Sequence, residues 1–139
     1  MQDHTRNTAP YSYTLKVAEK DIDELLHVNN VVYLQWVNDI SDRHWNELSS
    51  KSLNEKYFWV VLRHELDYLS QAVLHDELTL VTWVGHSRGA KSVRHVEIYK
   101  AETLCLKAAS TWCLIDAQTL KPTRIKDDIL DTLKPGQKS

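Results

Sequence analysis

From Val31 onward, apolar residues recur at spacings of three and four through Trp36, Val37, Ile40, Trp45 and Leu48, with His44 in the same register. That period belongs to a helix. Val31-Val32-Tyr33-Leu34 alone would favour a strand, but the length and continuity of the pattern make it the first turn of the helix. Its first half is apolar nearly all round, which predicts a helix enclosed by other structure. Asn38, Asp39, Ser41, Asp42 and Arg43 make the second half amphipathic.

Elsewhere the pattern is that of strands. Tyr11 to Val17 alternates and carries β-formers, so it is the first candidate. Four more follow the helix: Tyr57 to Leu69, Glu77 to Arg88, Lys91 to Lys100 and Leu104 to Asp116. The breaks between them, around Ser70 to Asp76, Gly89-Ala90 and Ala101 to Thr103, are short and hold no helix, which predicts antiparallel neighbours and excludes a parallel α/β sheet. Strict alternation places Phe58, Val60, Leu62, His64, Leu66 and Tyr68 on one face of their strand, and Leu104, Leu106, Ala108, Trp112 and Leu114 on one face of theirs. Ile125, Ile129, Leu130 and Leu133 suit either a short C-terminal helix or an irregular cap, stopping at Lys134-Pro135-Gly136.

With 139 residues and neither a repeat nor a Pro/Gly/Ser-rich linker, the chain reads as one domain, 11–139, behind a flexible polar arm, 1–10. Lysine and arginine (17) nearly balance aspartate and glutamate (19), so charge does not predict nucleic acid or an anionic membrane as partner. No apolar stretch approaches a membrane span, and Met1 to Pro10 is polar where a signal peptide would be apolar, so a cytoplasmic location is expected. Cys105 and Cys113 share one strand about 26 Å apart, too far to bond and in keeping with reduced thiols.

The candidate chemistry lies just before the helix, where Asp21, Asp23, His27, Asn29 and Asn30 crowd into one loop. Unpaired N–H groups in the first turn and the positive end of the helix dipole would face these side chains, an arrangement able to polarise a carbonyl within reach of a carboxylate. On bland readings, the acids serve turns and the dipole, and Asn29 or Asn30 caps the helix. The remaining histidines show no metal-ligand spacing, so neither a metal nor another cofactor is expected.

The run Asp21-x-Asp23-x-x-x-His27-Val28-Asn29-Asn30-x-x-Tyr33 with Trp36 resembles the signature of hotdog-fold thioesterases of the 4-hydroxybenzoyl-CoA and acyl-ACP type. Arg63-His64-Glu65-Leu66-Asp67-Tyr68 and His75-Asp76-Glu77-Leu78-Thr79-Leu80 are similar to the same family's second strand, turn and third strand. The resemblance covers Tyr11 to Asp116 and implies an α+β hotdog fold, an antiparallel sheet wrapped around one long central helix. It implies hydrolysis of acyl-CoA or acyl-ACP thioesters, with Asp23 as nucleophile or general base and His27 and Glu65 as further catalytic candidates. Asn29, Asn30 and Tyr33 of the motif are candidate substrate contacts, as are Arg88 and Lys91 beside Gly89, where Arg94 is a third basic residue able to meet coenzyme A phosphates. Simple alternation, by contrast, puts Glu65 on a solvated face with Arg63 and Asp67.

The chain departs from the family at three places. Leu25 stands where the acyl-ACP branch has asparagine, Leu66 where it has cysteine, and Leu26 where bacterial relatives commonly have glycine. Leu26 therefore implies either a different bend of the loop or a wall of the acyl pocket. A non-catalytic hotdog module that binds acyl-CoA or serves assembly is the competing reading, but it has no need of a carboxylate at Asp23. The exposed edge of a five-stranded sheet, and the family's habit of pairing such sheets, predict a homodimer or homotetramer.

Overall fold

The three consecutive strands of the second half pair as hairpins, and the rest of the chain is built onto them. In the computed structural model, which describes residues 9–133, the elements are β1 Tyr11–Lys16, a 3-10 turn Glu19–Asp21, α1 Asn30–Leu48, α2 Lys51–Lys56, β2 Tyr57–Tyr68, β3 Glu77–Arg88, β4 Lys91–Lys100, β5 Thr103–Asp116 and α3 Asp127–Leu133. The sheet is antiparallel throughout, in the order β1-β3-β4-β5-β2. This is the hotdog fold, with α1 packed on the inner face of the sheet. Of the expected N-terminal arm only Ala9 and Pro10 are described, both exposed; the rest of the arm and the Lys134-Pro135-Gly136 stop lie outside the described residues.

Two expectations about β2 fail for physical reasons. The break before β3 was expected to join neighbours, yet β2 pairs with β5 and sits three strands from β3. Extended chain over 69–76 reaches about 26 Å, more than the roughly 14 Å of three strand spacings, so the segment can cross the sheet instead of turning back. It is held as it crosses: Leu69 and Ser70 N–H donate to the Cys105 carbonyl, Ala72 accepts from Val28 N–H at 2.9 Å, and Leu74 N–H donates to the Leu26 carbonyl. The second failure is the single apolar face. The register shifts between Val61 and Arg63, so Leu62 is a bulge residue and parity inverts there. Tyr57 and Trp59 face the core before it and Leu66 after it, whereas Phe58, Val60 and Leu62 are exposed.

The core falls into two clusters along α1. Tyr33, Trp36, Val37 and Ile40 pack with Val17, Val28 and Ala72 against Leu78, Leu80, Val96, Ile98, Leu106 and Ala108. Nearer the C-terminal end of α1, Trp45 and Leu48 join Val84, Leu114 and the α3 residues Ile129 and Leu133. The helix is less completely enclosed than its sequence predicts, since Val31 is 72% exposed. The α2 helix, unseen in the sequence pattern, forms where Ser50 caps Leu53 N–H at 3.1 Å and Asn54 accepts from Trp45 Nε1 at 2.9 Å. Cys105 and Cys113 are both free and buried in β5, and burial pushes the Cys105 thiol up.

Between the clusters runs a buried polar seam. Arg94 points inward from β4, and its Nη1 donates to His44 Nδ1 at 2.8 Å and to Thr82 Oγ1 at 3.1 Å. The expectation that Arg94 meets phosphates at the surface is thereby overturned, because its strand parity carries it under the helix. His44 stacks on Tyr11 with ring centroids 5.3 Å apart. Burial first, and the Arg94 charge second, lower the His44 pKa from 6.5 to about 4.

The link from β1 to α1 contains one strained residue. Leu26 has φ +67°, the left-handed region in which a side chain costs about 1–2 kcal/mol. A glycine there would avoid that cost, in keeping with the glycine that the resemblance implies at this position in bacterial relatives, and here leucine adopts the bend.

Two outcomes follow from these observations. His44 has a folded pKa below its unfolded value, so its contribution to stability is complete above pH 6.5 and is lost as pH falls through about 4. Urea midpoints measured from pH 7.5 to 4.5 will fall more steeply for the wild type than for His44→Gln. Leu26→Gly will gain about 0.5–1 kcal/mol in urea unfolding, the relief of strain exceeding the added chain entropy; a loss of stability would show that packing of the 55% exposed Leu26 side chain dominates.

Candidate active site

The loop is organised by its first acid and presents its second. Asp21 is buried; its Oδ2 accepts from Ala18 N–H at 2.9 Å, and its carbonyl accepts from Asn29 N–H at 2.9 Å. These bonds tie the 3-10 turn to the start of α1, so Asp21 holds the frame. Asp23 is exposed, and its Oδ1 accepts from Leu25 N–H at 2.9 Å and His27 N–H at 3.2 Å. Its Oδ2 has no donor among the described residues. The carboxylate is thus oriented through one oxygen and offers the other.

His27 assists by its backbone. Its carbonyl accepts from Asp23 N–H at 2.9 Å, and it bridges to Val73 of the crossing segment. The half-buried imidazole has no hydrogen-bond partner among the described residues, so its ring is not what holds Asp23.

The start of α1 offers fewer donors than the sequence predicts. Asn29 is the cap: its Oδ1 takes Val31 N–H at 3.0 Å, and its carbonyl takes Val32 N–H at 2.9 Å and Tyr33 N–H at 3.4 Å. A good capping residue consumes the groups that a ligand would need. The Asn30 N–H alone of this turn has no acceptor among the described residues. Tyr33 is buried in the core, with its hydroxyl accepting from Ala72 N–H at 3.3 Å and its pKa raised by desolvation.

The other candidates lie apart. Glu65 is exposed on the outer face of β2 and paired with Arg63 at 2.8 Å, as alternation within that half of the strand requires. Arg88 and Lys91 are exposed beside Gly89, at the end of β3 remote from Glu77 and about 36 Å away along the strand, so within one chain they do not meet the Asp23 loop. Sequence reading missed Tyr68, whose hydroxyl donates to the Asn30 carbonyl at 3.4 Å and whose ring lies 5.7 Å from that of Tyr33. Tyr68 and Val31 join Leu25 and Leu26, the latter already a candidate pocket wall, in an apolar rim, all four exposed. The adjacent leucines within a polar motif were the signal available. Among the described residues no set of three or more His, Cys, Asp or Glu side chains is placed to hold a metal, and no helix is long and apolar enough to cross a membrane.

Solved structures share this architecture. A probable thioesterase from Escherichia coli superposes with a TM-score of 0.76 at 24% identity, covering 88% of this chain and 96% of its own. A Staphylococcus aureus protein solved in complex with CoA gives 0.80 at 18% identity, covering 90% and 82%. An acyl-ACP thioesterase from Bacteroides thetaiotaomicron gives 0.80 at 19% identity, with 90% of this chain matching 53% of that one, so this chain spans about half of it. No curated protein matches the sequence. The family model for the thioesterase-like superfamily matches residues 17–133, nearly all of the described fold and the whole of the Asp23 loop. The chain belongs to the thioesterase-like superfamily.

Proposed function

We propose that the protein hydrolyses acyl-CoA thioesters, with Asp23 as the catalytic carboxylate. The observation that carries this reading is the half-anchored carboxylate: Oδ1 is held by two backbone N–H groups while Oδ2 stays open, seven residues before the open N–H of Asn30. Thioester hydrolysis needs a base or nucleophile on one side of the carbonyl and a donor for the oxygen that becomes negative. Asp23 supplies the first, either taking a proton from the attacking water or attacking the carbonyl to form an anhydride that water then opens. Asn30 N–H, at the positive end of α1, supplies the second; one well-aimed donor contributes about 3 kcal/mol in other enzymes. The His27 ring, which has no internal partner, is available to the carbonyl or the water. The departing thiolate leaves with a proton as the free thiol.

CoA rather than acyl carrier protein is the carrier we favour, supported by the CoA complex of the Staphylococcus aureus neighbour. The apolar rim of Leu25, Leu26, Val31 and Tyr68 would take the acyl group. Arg88 and Lys91 are too distant to serve the same chain's loop, so as phosphate contacts they act across a subunit boundary.

That boundary is the free edge of β2. It is a twelve-residue edge strand that exposes Phe58, Val60, Val61 and Leu62, and such an edge invites pairing with a second copy. The proposed active unit is therefore a homodimer, or a tetramer built from dimers, in which the site and the rim meet a partner.

Asp23→Asn keeps an Oδ1 acceptor for Leu25 and His27, so its circular dichroism and melting point will match the wild type while kcat for acyl-CoA hydrolysis, followed by free-thiol release, falls about a thousandfold. Wild-type turnover in that variant would end the assignment. Light scattering will report a dimer or larger species, and the double substitution Val60→Lys, Leu62→Lys will release monomer; a stable, active wild-type monomer would contradict the assembly.

A further inference from the structure

Between the C-terminal half of α1 and the sheet lies a cavity of about 240 Å³, walled by Trp45, Tyr57, Trp59 and Trp112 and lined also by Asp42 and Arg94. It begins about 17 Å along α1 from Asn30, well away from the Asp23 loop. The reaction proposed for Asp23 makes no use of it.

Its chemistry is lopsided. Arg94 is only 7% exposed, yet no carboxylate lies within ion-pairing distance of it among the described residues, whose two ion pairs join Arg63 to Glu65 and Lys100 to Asp76. Its Nη1 serves His44 and Thr82, both neutral, and its Nη2 and Nε have no acceptor among the described residues. A buried charge with neutral partners alone is costly and leaves a place for a counter-ion. These open groups are donors, so the missing partner is an acceptor, and the guanidinium asks for a negative one. The aromatic walls ask for an apolar body. A cavity of about 150 Å³ holds benzene, so this one has room for a ring with a short arm or a comparable alkyl chain. Asp42 sits in the exposed part of the lining and acts on Arg94 electrostatically without pairing with it, so it opposes an incoming anion.

We propose that this cavity binds a free carboxylic acid with an aryl or short alkyl body, its carboxylate on the Arg94 guanidinium. The site is separate from the Asp23 loop and does not depend on the activity proposed there. It distinguishes acids from their thioesters, because a thioester carbonyl carries no charge to pair with the Arg94 guanidinium.

The test is calorimetric titration of the full chain with 3-phenylpropanoate and with 3-phenylpropanamide, alongside tryptophan fluorescence, since Trp45, Trp59 and Trp112 line the cavity. The acid is expected to bind and alter the emission, and the amide to bind about tenfold more weakly or not at all. Arg94→Gln will weaken the acid by a similar factor. Should that variant fail to fold, Asp42→Asn remains decisive, since removing the opposing charge at an exposed position will tighten the acid severalfold. Asp23→Asn will leave acid binding unchanged whether or not it abolishes hydrolysis. Equal binding of acid and amide, no binding at millimolar acid, unaltered or weaker binding in Asp42→Asn, or loss of binding in Asp23→Asn would each overturn the proposal.

Discussion

The structure depends on enclosing one side of α1. Tyr33, Trp36, Val37, Ile40 and His44 recur along one helix face and are all buried, and only a sheet wide enough to span that face removes them from water together. The strand order follows from this need. If β2 folded back on β3, it would duplicate pairing that β1 and β4 already provide; placed beside β5, it extends the sheet on the far side, and the crossing segment seals the end of the helix through Val28, Tyr33 and Ala72.

The same enclosure shapes the candidate site. Because the crossing segment pins Leu26, His27 and Val28, the loop before α1 is held at both ends, and Asp23 is left facing outward with one oxygen bound. Orientation by backbone N–H groups leaves the side chain fixed without another side chain to compete for the substrate. Leu26 accepts a left-handed conformation to allow this, and the strain is local to the Asp23 loop.

Two apolar clusters pack α1, and the junction between them is polar. His44, Thr82 and Arg94 satisfy one another in part, with a neutral imidazole accepting from a buried guanidinium. Trp45, Trp59 and Trp112 gather beside this junction as walls of the cavity between α1 and the sheet. A polar seam beside aromatic walls gives the fold a second chemically distinct place, remote from the loop.

Local pattern was enough for much of this. The bounds of β3 and β4 and the run of α1 follow from periodicity and turn residues, since each is decided by which side chains repeat on one face; between a helix and an irregular cap at the C-terminal end, packing against the core decided for the helix. The motif around Asp23 was likewise legible, because its residues are contiguous and its cap, Asn29, acts on its own neighbours. Long-range placement was not legible. The pairing of β2 with β5, the bulge at Leu62 that inverts a strand's faces, the burial of Arg94 against His44 and the contact of Tyr68 with Asn30 join residues distant in sequence. Periodicity records which face a residue shares with its neighbours; what lies opposite that face is decided only when the chain closes on itself, because burial and register are properties of the packed pair.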